Sequence, residues 1–208
     1  LRPPVKRSLV IAMDKPRQRR SSGPRTFDRD EAIEIAMRLF RRHGFEGVSI
    51  SDLTGAIGIA PPSLYAAFGS KAGLYREALD RYAALPGALD GMVDAATLDE
   101  AVSGLLDAAI KAATDAERGC MISTGLVEGA AEHRELADEL AQRRRDLRGR
   151  IAEGLGSWLG PEEAQHLAAY LLAVQQGLAV QARDGATEAE LALIREQVMV
   201  GIGARPPR

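Results

Sequence analysis

Apolar residues recur at three- and four-residue spacing along nearly the whole chain, and no stretch alternates as a strand would. The first amphipathic segment predicts a helix opening near Asp28. Asp28 and Glu31 form a capping-box-like pair, and Asp30 adds charge favourable to the first turn. Ala32, Ile33, Ala36, Leu39 and Phe40 make the apolar face. Arg38, Arg41 and Arg42 crowd the last turns, where cations suit the dipole, and Gly44 ends the segment. Phe45 and Val48 turn back into a core before Ser49 caps a second helix, with Asp52 three residues on. The stripe of that helix is Ile50, Leu53, Ala56 and Ile57. Gly58 stands where a helix end needs positive φ. After Ile59 in the turn, Pro61 and Pro62 open a short third helix, where their missing N–H groups cost little. Leu64, Ala67 and Phe68 point inward, while Ser63, Tyr65 and Ala66 point outward. Ser70 caps a fourth helix reaching about residue 84, with Leu74, Tyr75, Ala78, Leu79 and Tyr82 inside, and Pro86-Gly87 breaks it.

From residue 88 the chain is rich in Ala and Leu, with Trp158 and Tyr170 as its aromatics. Thr97 and Glu100 form a capping-box pair that opens a helix to about residue 115. Arg118-Gly119 interrupts, and residues 120–131 predict a further apolar helix. A long helix over 133–159 keeps Leu136, Leu140, Leu147, Ile151 and Leu155 on one side until Gly160-Pro161 breaks it. Two amphipathic helices, over 162–183 and 188–202, complete the chain. The expected fold is all-α. Its parts are a basic arm at 1–26, a small helical head at 27–84 and a helical bundle at 88–208.

Charge separates these parts. Residues 1–82 carry 15 Lys or Arg and 9 Asp or Glu, whereas residues 83–208 carry 12 and 20. A basic end on an acidic body suits a polyanion partner for the head. The arm holds eight basic residues against the single acid Asp14, with four prolines, and reads as disordered. Its Arg17, Arg19, Arg20 and Arg25 abut the head and are placed to reach phosphates or a minor groove. Met13 is a candidate translation start, which would leave residues 1–12 outside the native chain. A single cysteine, Cys120, allows no internal disulfide and suits a reducing cytoplasm. The absence of an 18-residue apolar run argues against a membrane span.

Residues 49–71 combine a helix, a glycine turn and a short second helix. That is a helix-turn-helix layout, in which the second helix enters the DNA major groove. Residues 27–82 resemble the DNA-binding domain of the tetracycline-repressor-like (TetR) family of transcriptional regulators. The resemblance rests on the Leu-Phe...Gly-Phe end of the first helix, the Ser-x-x-Asp-Leu second helix, and Leu64, Tyr65, Phe68 and Lys71 as a Leu-Tyr-x-x-Phe-x-x-Lys signature. It implies that Tyr65 and Lys71 contact operator phosphates and that Ser49 anchors the second helix. Many members carry Ser or Thr at the start of the recognition helix, where this chain has Ala60, Pro61 and Pro62. Fewer base-edge donors remain, which leaves readout to Ser63, apolar contact with thymine methyls, backbone contacts and DNA shape.

The resemblance further implies a homodimer joined by the last two helices, on a near-palindromic double-stranded DNA operator. The apolar stripes Leu167, Leu171, Val174 and Leu178, and Leu191, Ile194, Val198 and Ile202, are the expected dimer interface. They are too apolar to face water. An unknown small-molecule effector is expected in the body, apolar or amphipathic, near Cys120, Met121, Leu126, Val127 and Leu172. Repression is expected because the family mostly represses.

Other chemistry finds little support. His43 sits at a helix end, and Glu162 with His166 is an i, i+4 pair without a third metal ligand. The run Arg143–Arg150 lies among acids at helical spacing and reads as a solvated face. No G-x-S-x-G, H-E-x-x-H, Walker loop or dinucleotide fingerprint occurs, so no enzyme, cofactor or metal is expected. The competing expectation is a helical binding protein whose head docks a protein partner instead of DNA.

Overall fold

The computed structural model describes residues 28–115, 120–125 and 131–204. Among these the chain is helical and contains no strand. The head comprises α1 (Arg29–His43), α2 (Ile50–Ile57), α3 (Pro61–Phe68) and α4 (Lys71–Ala83). The body comprises α5 (Leu98–Thr114), α6 (Met121–Thr124), α7 (Arg134–Leu155), α8 (Pro161–Arg183) and α9 (Glu188–Gly203).

The helix starts follow their capping chemistry. Asp28 accepts from the N–H groups of Asp30 and Glu31 at 2.9 and 3.1 Å. Thr187 and Glu190 form a full capping box on α9. Thr97 caps α5, but the Glu100 carboxylate accepts from the Ala96 N–H at 2.8 Å, one residue earlier than a capping box requires. The long helix predicted to reach residue 159 ends at Leu155, whose carbonyl accepts from both Trp158 and Leu159 at 3.1 Å.

Phe40, Phe45 and Tyr75 form the aromatic centre of the head, Tyr75 meeting the two phenylalanine rings edge-on at centroid distances of 4.9 and 5.2 Å. Burial pushes the Tyr75 hydroxyl pKa up to about 12, so the group stays protonated. A module of ~50 residues buries a small fraction of its surface and is marginal alone. Met121 of α6 and Leu136 and Leu140 of α7 complete it, each nearly or wholly buried against the head residues. The expected boundary between head and body is therefore crossed by their packing.

The body is built on α5, which packs against α8, α9 and a 3-10 turn at Ala88–Met92. That turn lies so close to α5 that a Cβ on either Gly91 or Gly104 would run into the other's carbonyl oxygen. The two glycines are required by the close approach of two backbones.

Most side chains of the expected dimer stripes pack inside one protomer. Leu167, Leu171, Leu178, Leu191, Val198 and Ile202 are buried in the protomer's own body core, and Val174 and Ile194 pack against it. The inner faces of α8 and α9 are used up by packing against the rest of the body. The large apolar residues that α8 and α9 leave exposed are Tyr170, Val180, Leu193 and Val200.

Gly104→Ala should lower stability by roughly 1–3 kcal/mol, the usual cost of overpacking a tight contact, as a reduced denaturation midpoint in urea. An unchanged midpoint would mean that the turn and α5 separate without cost.

Candidate nucleic-acid interface and cavity

Ser49 and Asp52 set the start of α2 through a closed exchange. The Ser49 N–H and hydroxyl donate to Asp52 Oδ2 at 2.9 and 2.6 Å, and the Asp52 N–H donates to Ser49 Oγ at 3.1 Å. The hydrogen bonds from Ser49 lower the Asp52 pKa. Thr54 takes the buried position in place of the expected Ala56, which is exposed, and the Thr54 hydroxyl donates to the Ile50 carbonyl at 2.9 Å. Gly58 ends the helix at φ 78°, its N–H donating to the Thr54 carbonyl at 2.9 Å.

Ala60 then precedes α3 without a side-chain cap, and Pro61 and Pro62 occupy its first turn. Leu64 and Phe68 are buried, whereas Ala60, Pro61, Pro62 and Tyr65 are exposed and Ser63 is half-buried. Gly69 bends the chain to Ser70, whose hydroxyl accepts from the Gly73 N–H at 3.0 Å and starts α4. Lys71 is the first residue of α4, and its ammonium lies 4.2 Å from the centre of the Phe45 ring. Partial burial lowers its pKa, opposed by the nearby Glu46 carboxylate. Ser49, Ala60 to Ser63 and Lys71 thus mark three successive helix starts, with Tyr65 exposed on the middle helix. Arg17, Arg19, Arg20 and Arg25 lie outside the described residues.

A cavity of about 310 Å³ opens where the head meets the body. Arg41 of α1 and Tyr82 of α4 line it from the head side. Ala109, Ala112, Ala113 and Asp115 from α5 and its end, Ile122 of α6, Leu147 of α7, and Gln175 and Ala179 of α8 line it from the body. Arg41 is buried and donates to both carboxylate oxygens of Asp115 at 2.8 Å and to the Ala112 carbonyl at 3.2 Å. Its guanidinium also lies 5.3 Å from the Tyr82 ring centre. Burial keeps the Tyr82 hydroxyl protonated, with the Cys120 sulfur as a secondary cause. Arg183 at the end of α8 donates to the Arg41 carbonyl at 3.3 Å, so a body helix also caps α1.

Of the expected effector residues, Cys120 lines this cavity. Met121 does not, because its side chain fills the head core, and the nearly buried Leu172 does not line it either. Leu126 and Val127 lie outside the described residues. In the sequence Arg41 reads as a dipole cation and Tyr82 as plain core, whereas both line the cavity. Gln175 carried a usable signal, as a polar residue inside the apolar stripe of α8.

Ion pairs fasten head to body around this cavity. Arg76 of α4 donates to both oxygens of Glu139 on α7 at 2.6–3.0 Å, which lowers the Glu139 pKa. Arg143 pairs with Asp80, and Arg144 donates to the carbonyls of Ile122 and Gly125 at 3.1 and 3.0 Å. The arginine run expected to be a solvated face therefore contributes one head-to-body fastener, Arg143, and one tie within the body, Arg144.

The tetR family of bacterial regulatory proteins matches residues 32–78, from α1 into α4. The HTH-type transcriptional repressor ComR of Escherichia coli is 30% identical over 182 residues, spanning 79% of this chain and 83% of that one. The chain belongs to the tetR family. A second relative, the HTH-type transcriptional repressor BdcR of Escherichia coli, is 34% identical over 167 residues, 78% of this chain and 82% of that one. The solved structure of the TetR family regulator CifR, a cysteine mutant complexed with 26bp double-strand operator DNA, superposes with a TM-score of 0.77 at 36% identity. It covers 88% of this chain and 100% of that chain. This tetR-family chain is thus a transcriptional regulator with an N-terminal helix-turn-helix and a helical C-terminal body. No described helix is long and apolar enough to cross a membrane.

Two outcomes follow from this geometry. Ser49→Ala removes the α2 cap and should cost about 1 kcal/mol in thermal or urea unfolding. The stability supplied by the depressed Glu139 carboxylate is present above its unfolded value and is lost as pH falls through the folded one. Acidification below about pH 4 should therefore loosen the α4–α7 contact. The effect should be under ~1 kcal/mol for so exposed a pair, and Arg76→Met should abolish it in unfolding curves measured against pH.

Proposed function

We propose that this regulator is a repressor that binds a near-palindromic operator as a homodimer and is released by a small apolar or amphipathic effector. The observation that carries the reading is the cavity at the head–body junction. Its wall includes Arg41 and Tyr82 from the head and Gln175 and Ala179 from the body. A molecule filling it touches both parts at once and changes the free energy of their relative placement. A coupling of only ~1–3 kcal/mol shifts occupancy about 5–150-fold. The names of ComR and BdcR as repressors support the sign of regulation. No catalytic step forms part of this reading.

In the DNA-bound state Lys71 and Tyr65 hold operator phosphates, Ser49 fixes the start of α2, and α3 lies in the major groove. Arg17, Arg19, Arg20 and Arg25 add non-specific attraction. Ala60, Pro61 and Pro62 offer no side-chain donors to base edges, so discrimination rests on Ser63, apolar contact and duplex shape. The dimer forms through the outward faces of α8 and α9, around Tyr170, Val180, Leu193 and Val200, which the protomer leaves exposed.

Operator duplexes selected from a random pool and titrated at several salt concentrations test the DNA half. Lys71→Ala should reduce the slope of log affinity against log salt by about one for each protomer, or about two for the dimer. Tyr65→Phe should weaken binding about tenfold if its hydroxyl donates to a phosphate. Affinity indifferent to salt would sink the reading in favour of a protein partner. For the dimer, sedimentation of Leu193→Glu with Val200→Glu should give a monomer with its helix content retained; a persisting dimer would place the interface elsewhere.

A further inference from the structure

Gln175 is 5% exposed on α8, and it lines the cavity beside Ala113 and Ala179, which are equally sealed. Its amide nitrogen Nε2 is buried without a hydrogen-bond partner among the described residues. A buried amide donor left unpaired is costly, and natural interiors rarely keep one without a use. The neighbouring charges are already engaged: Arg41 with Asp115, and Arg143 with Asp80. Gln175 Nε2 is therefore an unpaired amide donor on a cavity wall it shares with Ala113, Ala179 and the hydroxyl-bearing Tyr82 and Ser123, while the exposed Asp90, Asp146 and Arg150 line the same cavity.

We propose that Gln175 Nε2 is the specificity-determining donor of the cavity, and that the effector is an uncharged carbonyl compound whose oxygen accepts from it. The inference rests on the effector reading above and narrows it. A carboxylate placed beside Gln175 is disfavoured because Arg41 already has its counter-ion in Asp115, so an anionic group would have to turn to Arg150 at the exposed side of the cavity. Size follows from volume. A dry cavity of about 150 Å³ holds benzene, so 310 Å³ accommodates a molecule of about a dozen heavy atoms. An aryl or branched alkyl ketone, ester or lactone fits both limits.

The test uses two probes of the same shape, butyrophenone and its methylene isostere 2-phenyl-1-pentene, by calorimetry and thermal shift on the full chain. The native protein should bind the ketone about tenfold or more tightly than the alkene. Gln175→Met, similar in length and apolar, should bind the two alike while melting no lower than the native protein. Gln175→Leu serves as a second apolar replacement if the methionine variant folds poorly. Equal binding of both probes by the native protein, or a ketone preference that survives both substitutions, would overturn the donor assignment and leave an apolar effector cavity standing. Binding of neither probe at millimolar concentration would overturn the proposal together with the effector reading beneath it.

Discussion

The core of the helix-turn-helix head is closed partly by the body, and the placement of head and body follows from that sharing. Phe40, Phe45 and Tyr75 share one buried cluster with Met121, Leu136 and Leu140 of the body. Burial of each such side chain contributes roughly 1.5–3 kcal/mol. The ion pairs along the same seam, Arg76 with Glu139 and Arg143 with Asp80, are substantially exposed and supply under ~1 kcal/mol each. Apolar sealing thus holds the two parts together, and the charges select the angle at which they meet.

The cavity lies against that same seam. Arg41 belongs to the helix that carries Phe40, and Tyr82 belongs to the helix that carries Tyr75. Movement of either cavity residue is transmitted through a rigid helix to the packed aromatic centre. Arg183, donating to the Arg41 carbonyl, ties the far end of α8 into the linkage. On the proposed reading, an effector in the cavity and DNA at α3 would influence one another without any long chain of intermediates, since two helices span the distance between them.

Much of the head was legible in the sequence because its signals are local. Asp28, Ser49, Ser70 and Gly58 each announce a helix end through chemistry that needs only neighbouring residues. The body was less legible for a physical reason. Periodicity states that one face of a helix is buried, but it does not state what buries it. Leu167, Leu171, Leu191 and Val198 look alike whether they meet α5 or a second copy, and the structure assigns them to the protomer's own core. Met121 shows the same ambiguity, as an apolar residue beside Cys120 that packs toward the head instead of the cavity. Arg41 was hidden because its partner, Asp115, lies far along the chain and becomes its neighbour only after folding.

The two prolines opening α3 carry a consequence for the kinetics of recognition. Pyrrolidine rings hold the first turn near helical φ before any partner arrives, and they remove the N–H groups that water would otherwise solvate there. The helix comes to its target already shaped, so little ordering entropy remains to be lost on contact. Under the proposed DNA-binding reading, such a surface suits brief, repeated encounters along a duplex, with the residence time set by contacts to the phosphates and not by the folding of the helix.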